Sequence, residues 1–174
     1  LPYSLLRDVF RERFQIRDSD SQAEAREKLI RGMAAMAKRE NAEWAAFIGE
    51  LFGFDFSESA FVRGIRNDAR QIRDRSFNSI AQFFTELTRD LPVVLLLDDI
   101  HWADFGSLDF IEYLAKLETD LPVFILCTTR PSLDESHPNW GSNFPLCTIL
   151  TIKSLDLDAS RELVGEILRK VPDL

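Results

Sequence analysis

Two adjacent carboxylates, Asp98 and Asp99, follow five uninterrupted apolar residues, Val93-Val94-Leu95-Leu96-Leu97. A short apolar run ending in acids is the pattern of a buried parallel strand that delivers them to the carboxyl edge of a sheet, where open α/β folds bind ligands. Side-by-side carboxylates repel each other, so both stay ionised only with a cation close by. The same residues also describe an ordinary buried strand running into a polar turn, and the run alone leaves both readings open.

The residues after the strand extend the pattern. Asp98-Asp99-Ile100-His101-Trp102-Ala103-Asp104, followed by Ser107-Leu108 and an amphipathic helix, resembles the Walker B segment of STAND-type signal-transduction ATPases. These are AAA+-related regulators found in large bacterial transcription activators and fused to cyclase or Ser/Thr kinase domains. Leu91-Pro92 leads into the strand as in that family, and residues 122–130 followed by Pro131 are similar to its sensor 1 strand. Residues 150–155 resemble its next strand and turn. Pro2-Tyr3-Ser4-Leu5-Leu6 resembles the stretch that follows its phosphate loop, so the resemblance spans most of the chain.

The resemblance implies roles. Asp98 would hold Mg²⁺ through bound waters, since a hard cation prefers oxygen ligands and keeps part of its hydration. Asp99 would polarise the attacking water as general base, and Thr128, Thr129 and Arg130 would line the nucleotide, Arg130 touching the γ-phosphate. An ion pair of Arg130 with Asp98 or Asp99 is the alternative. His101, Trp102 and Asp104 are characteristic of the family, although Trp102 could pack under the sheet edge and Asp104 could cap the next helix. His101 has no Ser or Cys partner for nucleophilic catalysis, and His137 reads as a surface residue in a loop.

A phosphate loop needs glycines followed by Lys and Ser or Thr. The seven glycines (Gly32, Gly49, Gly53, Gly64, Gly106, Gly141 and Gly165) are followed by Met, Glu, Phe, Ile, Ser, Ser and Glu. Taken with the resemblance, the chain is expected to begin downstream of the phosphate loop. It should neither bind ATP tightly nor hydrolyse it alone, while its parent uses ATP and Mg²⁺. In related ATPases the phosphate-loop strand lies between the sensor 1 strand and the next. The sheet is therefore expected to close over the gap or to pair between chains.

Composition bounds the remaining classes. At 174 residues, 45% hydrophobic and 29% charged, the chain can bury one sizeable core. No run of 18 apolar residues and no leader pattern occurs, so neither a membrane span nor a secretory signal is expected. Residues 1–90 hold 15 basic and 15 acidic side chains, whereas residues 91–174 hold 6 and 14, and the net charge of −8 belongs to the half with the paired acids. That balance argues against a nucleic-acid grip in this segment. Cys127 and Cys147 have no Cys or His at ligand spacing and read as buried thiols in strands, consistent with a cytoplasmic protein.

The elements that must position these residues follow from periodicity. Leu5, Leu6, Val9, Phe10 and Phe14 form one face of a short helix, Ser21 and Glu24 have capping-box spacing for a second, and Asn41 can cap a third carrying Trp44, Phe47, Ile48, Leu51 and Phe52. A helix over about 57–75 would set Phe61, Ile65, Ala69 and Ile72 opposite a stripe of Arg63, Arg66, Arg70 and Arg73, either a solvated face or a contact surface. Ile80, Phe83, Phe84 and Leu87 feed the acid-bearing strand. Strands are expected near 123–127 and 147–152, and an amphipathic helix over 158–170 should turn Leu163, Val164, Ile167 and Leu168 inward.

The expected architecture is α/β: a partial P-loop NTPase-type parallel sheet with helices, preceded by a largely helical segment. Residues 1–155 would form a partial nucleotide-binding domain with a helical insert at about 15–75, truncated before its first strand. Residues 156–174 would begin a truncated lid subdomain. Other domains of the parent (kinase, cyclase or DNA-binding) and self-association through the sheet are the expected partners. The competing reading is a protein-interaction module derived from the same fold.

Overall fold

The computed structural model describes residues 2–117 and 121–169. Helices fill the first half: α1 (Ser4–Phe14), α2 (Gln22–Ala37), α3 (Ala42–Leu51), α4 (Ala60–Arg63) and α5 (Ala69–Leu87). Strand β1 (Val93–Leu97), a 3₁₀ turn (Ile100–Trp102), α6 (Phe105–Ala115), β2 (Val123–Cys127), α7 (Ser132–Ser136) and α8 (Leu157–Arg169) follow.

Local sequence accounts for the helix starts. The Ser21 hydroxyl accepts the Glu24 N–H while the Glu24 carboxylate accepts the Ser21 N–H, a reciprocal cap on α2. The Asn41 side chain accepts the Trp44 N–H at 3.1 Å and opens α3. Helices α1, α2, α3, α5 and α6 share one core centred on Leu29, Phe47, Ile48, Phe77, Ile80 and Phe110. Ser76 is buried in it because its hydroxyl donates to the carbonyls of Phe47 and Ile72, at 2.8 and 2.7 Å.

The expected helix over 57–75 is broken. Gly64 ends α4, and the Asp68 carboxylate accepts the Gln71 N–H at 3.0 Å to start α5, which runs without interruption through Phe77 to Leu87. A capping carboxylate behind a glycine outcompetes the continuous periodicity. The four arginines therefore do not form one stripe. Arg63 pairs with Glu58, Arg66 with Glu50 at 2.9 Å, and Arg73 with Asp74 and, across the helix contact, with Asp109 of α6.

Strands β1 and β2 pair in parallel, Val93 opposite Val123 through Leu97 opposite Cys127. Val93, Leu95, Leu97, Val123, Ile125 and Cys127 pack on the core side. The alternate residues Val94, Leu96, Phe124 and Leu126 form an outward face that is 49–71% exposed.

The expected strand at 147–152 is absent. Ile149, Leu150 and Ile152 are exposed, because a run of strand-forming residues with no neighbouring strand leaves its backbone groups to solvent. Among the described residues the sheet has two strands and does not close up. Cys147 is correspondingly exposed rather than buried, while Cys127 is half-buried in β2.

Helix α8 forms where the amphipathic pattern places it, with Lys170 outside the described residues, but none of its residues is buried. Leu163, Val164, Ile167 and Leu168 face solvent rather than inward. No helix among the described residues is long and apolar enough to cross a membrane.

Candidate functional site at the carboxyl edge of the sheet

The site stands where β1 and β2 both end. The ladder runs one step beyond the strands, with Thr128 N–H donating to the Leu97 carbonyl at 3.0 Å and Ile100 N–H to the Thr128 carbonyl at 2.9 Å. Beneath them Leu97, Ile100, Leu108, Ile111 and Leu133 make a second small core, closed by Trp140 and Phe144. The Trp140 indole N–H donates to the Leu108 carbonyl at 3.3 Å and fastens the loop after α7 to α6.

On this base the Thr128 hydroxyl donates to Asp98 Oδ1 and accepts the Asp99 N–H at 2.9 Å. The Asp99 N–H also approaches Asp98 Oδ1 at 3.1 Å. Asp99 is left-handed, φ 52 and ψ 41, a conformation that Asp adopts more readily than most residues. It turns the chain into the 3₁₀ segment and leaves its own carboxylate about half exposed.

The structure thus brings Asp98, Asp99 and Thr128 together. The Thr129 hydroxyl donates to the carbonyl of Arg130, and no ion pair joins Arg130 to Asp98 or Asp99 among the described residues, so the alternative of a resting Arg–Asp pair is not what forms. Trp102 is 81% exposed and does not pack under the sheet edge.

The next acid does cap the following helix. Asp104 accepts the Ser107 N–H at 3.1 Å and its hydroxyl at 2.6 Å at the start of α6. The same carboxylate accepts the backbone N–H groups of Tyr3 and Ser4, at 2.6 and 2.7 Å, and the Ser4 hydroxyl at 3.0 Å. Burial pushes this carboxyl up, but the Ser107 hydroxyl, the Tyr3 and Ser107 amides and the Ser4 hydroxyl outweigh it and hold the pKa at about 2. Asp104 therefore ties the start of α1 to the acid-bearing edge, about one hundred residues away in sequence. Only the cap was readable from local spacing; the long-range half requires knowing that the Tyr3-Ser4 segment lies there.

His101 is the other residue that the sequence left without a role. Its side chain is 3% exposed, its Nδ1 lies 3.6 Å from Asp99 Oδ1, and neither ring nitrogen has a hydrogen-bond partner. His137, by contrast, lies in the loop, where its ring faces Phe105 with the centroids 6.0 Å apart.

The donor set is oxygen only. No group of three or more His, Cys, Asp or Glu side chains suited to a metal ion occurs among the described residues. The exposed Asp98 carboxylate nevertheless fits a cation such as Mg²⁺, which keeps several waters and takes its remaining ligands from substrate phosphates.

A family model for the AAA ATPase domain matches residues 3–126. An uncharacterised protein of Rhizobium meliloti (strain 1021) is 28% identical in a match 99 residues long that covers 54% of this chain and 9% of that protein. The chain spans a small part of the length of the relative it matches. No solved structure matches the chain.

Proposed function

The chain belongs to the AAA ATPase domain family, and from that premise we propose that it is the Walker B and sensor 1 portion of a STAND-type signal-transduction ATPase. One observation carries the reading: two exposed carboxylates and a threonine hydroxyl are assembled at the carboxyl ends of two parallel-paired strands, where α/β folds bind ligands. In this reading Asp98 holds Mg²⁺, which when bound neutralises phosphate charge. Asp99 orients and polarises the attacking water, Thr128 holds Asp98 and the Asp99 backbone in place, and Thr129 and Arg130 border the phosphates. No glycine in the chain is followed by Lys, so the phosphate loop comes from sequence outside these residues. The chain by itself then neither binds ATP tightly nor hydrolyses it. The split also accounts for the apolar segment at 147–152, whose partner would be the phosphate-loop strand.

In the parent, a cytoplasmic regulator, nucleotide state would set the exposure of surfaces read by other domains, of kinase, cyclase or DNA-binding type. The exposed face of Val94, Leu96, Phe124 and Leu126 and the apolar side of α8 favour a second reading, a non-catalytic interaction module that uses these surfaces for contact with those domains or for self-association through the sheet.

Calorimetry with Mg-ATP on this chain and on a form extended upstream through a Gly-Lys-Ser or Gly-Lys-Thr loop separates the two. Binding only by the extended form, lost with Asp98→Ala in the presence of Mg²⁺, is the expected result. Failure of the extended form to bind favours the interaction module, and tight binding by the 174-residue chain refutes the split site.

A further inference from the structure

His101 is a titratable side chain that the assigned roles leave unused, and its surroundings are unlike those of a surface or core histidine. The left-handed Asp99 leads into the 3₁₀ turn Ile100–Trp102, in which the His101 side chain is 3% exposed beside an Asp99 carboxylate that is 56% exposed. Both ring nitrogens are buried without a partner, and the only carboxylate oxygen within 4 Å of Nδ1 among the described residues is Asp99 Oδ1, at 3.6 Å. Buried imidazoles satisfy their nitrogens where they can. Closing this gap by about 0.5 Å would bring the pair within hydrogen-bond range, a shift typical of sites that tighten when loaded.

We propose that His101 is a positioning residue for Asp99, its Nδ1–H donating to the Asp99 carboxylate from the interior and fixing the direction in which the other oxygen meets water. A carboxylate beside Nδ1 selects the tautomer with the proton on that nitrogen, because a lone pair facing it would be repelled. Asp99 is anchored on its backbone side by Thr128 and Asp98. His101 adds the side-chain anchor that a water-polarising group needs if its carboxylate is not to sample solvent-facing rotamers. This follows the logic by which a third group orients a catalytic base. The role in hydrolysis rests on the ATPase reading, whereas the contact itself does not.

Two measurements test it. The chain has two histidines, so long-range ¹H–¹⁵N spectra of the 174-residue chain and of His137→Gln assign the His101 ring directly. The expected ring carries its proton on Nδ1, and Asp99→Ala shifts it toward the Nε2–H form. An Nε2–H ring, or one indifferent to Asp99→Ala, overturns the proposal whatever the protein hydrolyses. In the longer protein that includes the phosphate loop, His101→Leu is expected to lower kcat on the order of 10- to 100-fold with KM for ATP little changed. His101→Asn, whose amide N–H replaces Nδ1–H, should recover most of that loss. Equal kcat in His101→Leu and wild type, or equal losses in the Leu and Asn variants, refutes the positioning role. A wild-type protein that does not hydrolyse ATP while the Nδ1–H tautomer is present refutes the ATPase reading and the hydrolytic role with it, but leaves the contact standing.

Discussion

Replacing Asp104 with Asn keeps the side-chain shape and one acceptor oxygen but removes the charge that five donors from Tyr3, Ser4 and Ser107 converge upon. Holding this carboxyl at about 2 instead of 3.8 corresponds to roughly 2.5 kcal/mol of folding stability at neutral pH by proton linkage. The group is only partly buried, and solvent screening reduces that to about 1–1.5 kcal/mol. For a chain of this size the loss lowers Tm by about 3–5 °C. Asp104→Ala also deletes the α6 cap and leaves amides without an acceptor, for a total of about 2–3 kcal/mol. The sign with pH follows from the direction of the shift. The folded-state pKa is depressed, so the contribution is complete above the unfolded value of 3.8 and is lost as pH falls through about 2. Thermal unfolding followed by circular dichroism at pH 7 and pH 3 should show the gap between wild type and Asp104→Asn shrinking to roughly half at the lower pH. Identical Tm values at pH 7, or a gap that does not shrink in acid, would refute the clamp.

Three other outcomes follow from packing. A Cβ at Gly106 would lie 2.6–3.0 Å from the Tyr3 ring, so Gly106→Ala should displace Tyr3 and cost about 1–3 kcal/mol in urea unfolding. Burial, reinforced by Cys147, raises the Cys127 thiol to about 11, so at neutral pH a maleimide should label exposed Cys147 first and half-buried Cys127 more slowly; equal labelling rates would contradict the burial. Leu96 is 71% exposed and its neighbour Leu97 is 3% exposed, so Leu96→Ser should change stability by less than about 0.5 kcal/mol, whereas Leu97→Ala should cost about 2–5 kcal/mol.

The features legible in sequence are those whose cause is local. Ser21, Asn41 and Asp104 announce their helices because a cap and its target amide lie within three residues. The run from Val93 to Leu97 announces β1, and its acids fall at the strand end because the side-chain order is fixed once the strand is. At Gly64 and Asp68 the same capping chemistry divides a stretch whose apolar and arginine spacing is continuous, because a helical period persists across a break that it does not itself encode. Residues 147–152 and α8 show the other limit. Their apolar patterns are real, yet a strand needs hydrogen-bonding neighbours and a helix face needs something to pack on, and neither is a property of the segment itself. Burial of the His101 side chain likewise has no local signature, since it depends on the left-handed turn at Asp99 that precedes it.

These limits explain how the site can be organised while much apolar surface is open. Two strands alone do not make a stable sheet, so β1 and β2 depend on the helices beneath them. Among the described residues that support lies on one face, where Leu95, Leu97 and Ile125 pack into the two cores. The groups that fix the acids lie at the edge rather than on the outer face: the Leu97–Thr128–Ile100 ladder, the Thr128 hydroxyl and the Asp104 clamp on Tyr3 and Ser4. The outer face can consequently accept or release a covering element without moving Asp98 and Asp99, while a change at Asp104 reaches the acids through the short turn that joins them. Leu96→Ser should therefore leave the His101 tautomer unchanged, and Asp104→Ala should perturb it although among the described residues no hydrogen bond or ion pair joins Asp104 to the ring or to Asp99. If Leu96→Ser were instead the variant that disturbed His101, positioning of the acids would depend on the sheet's outer face and not on the edge.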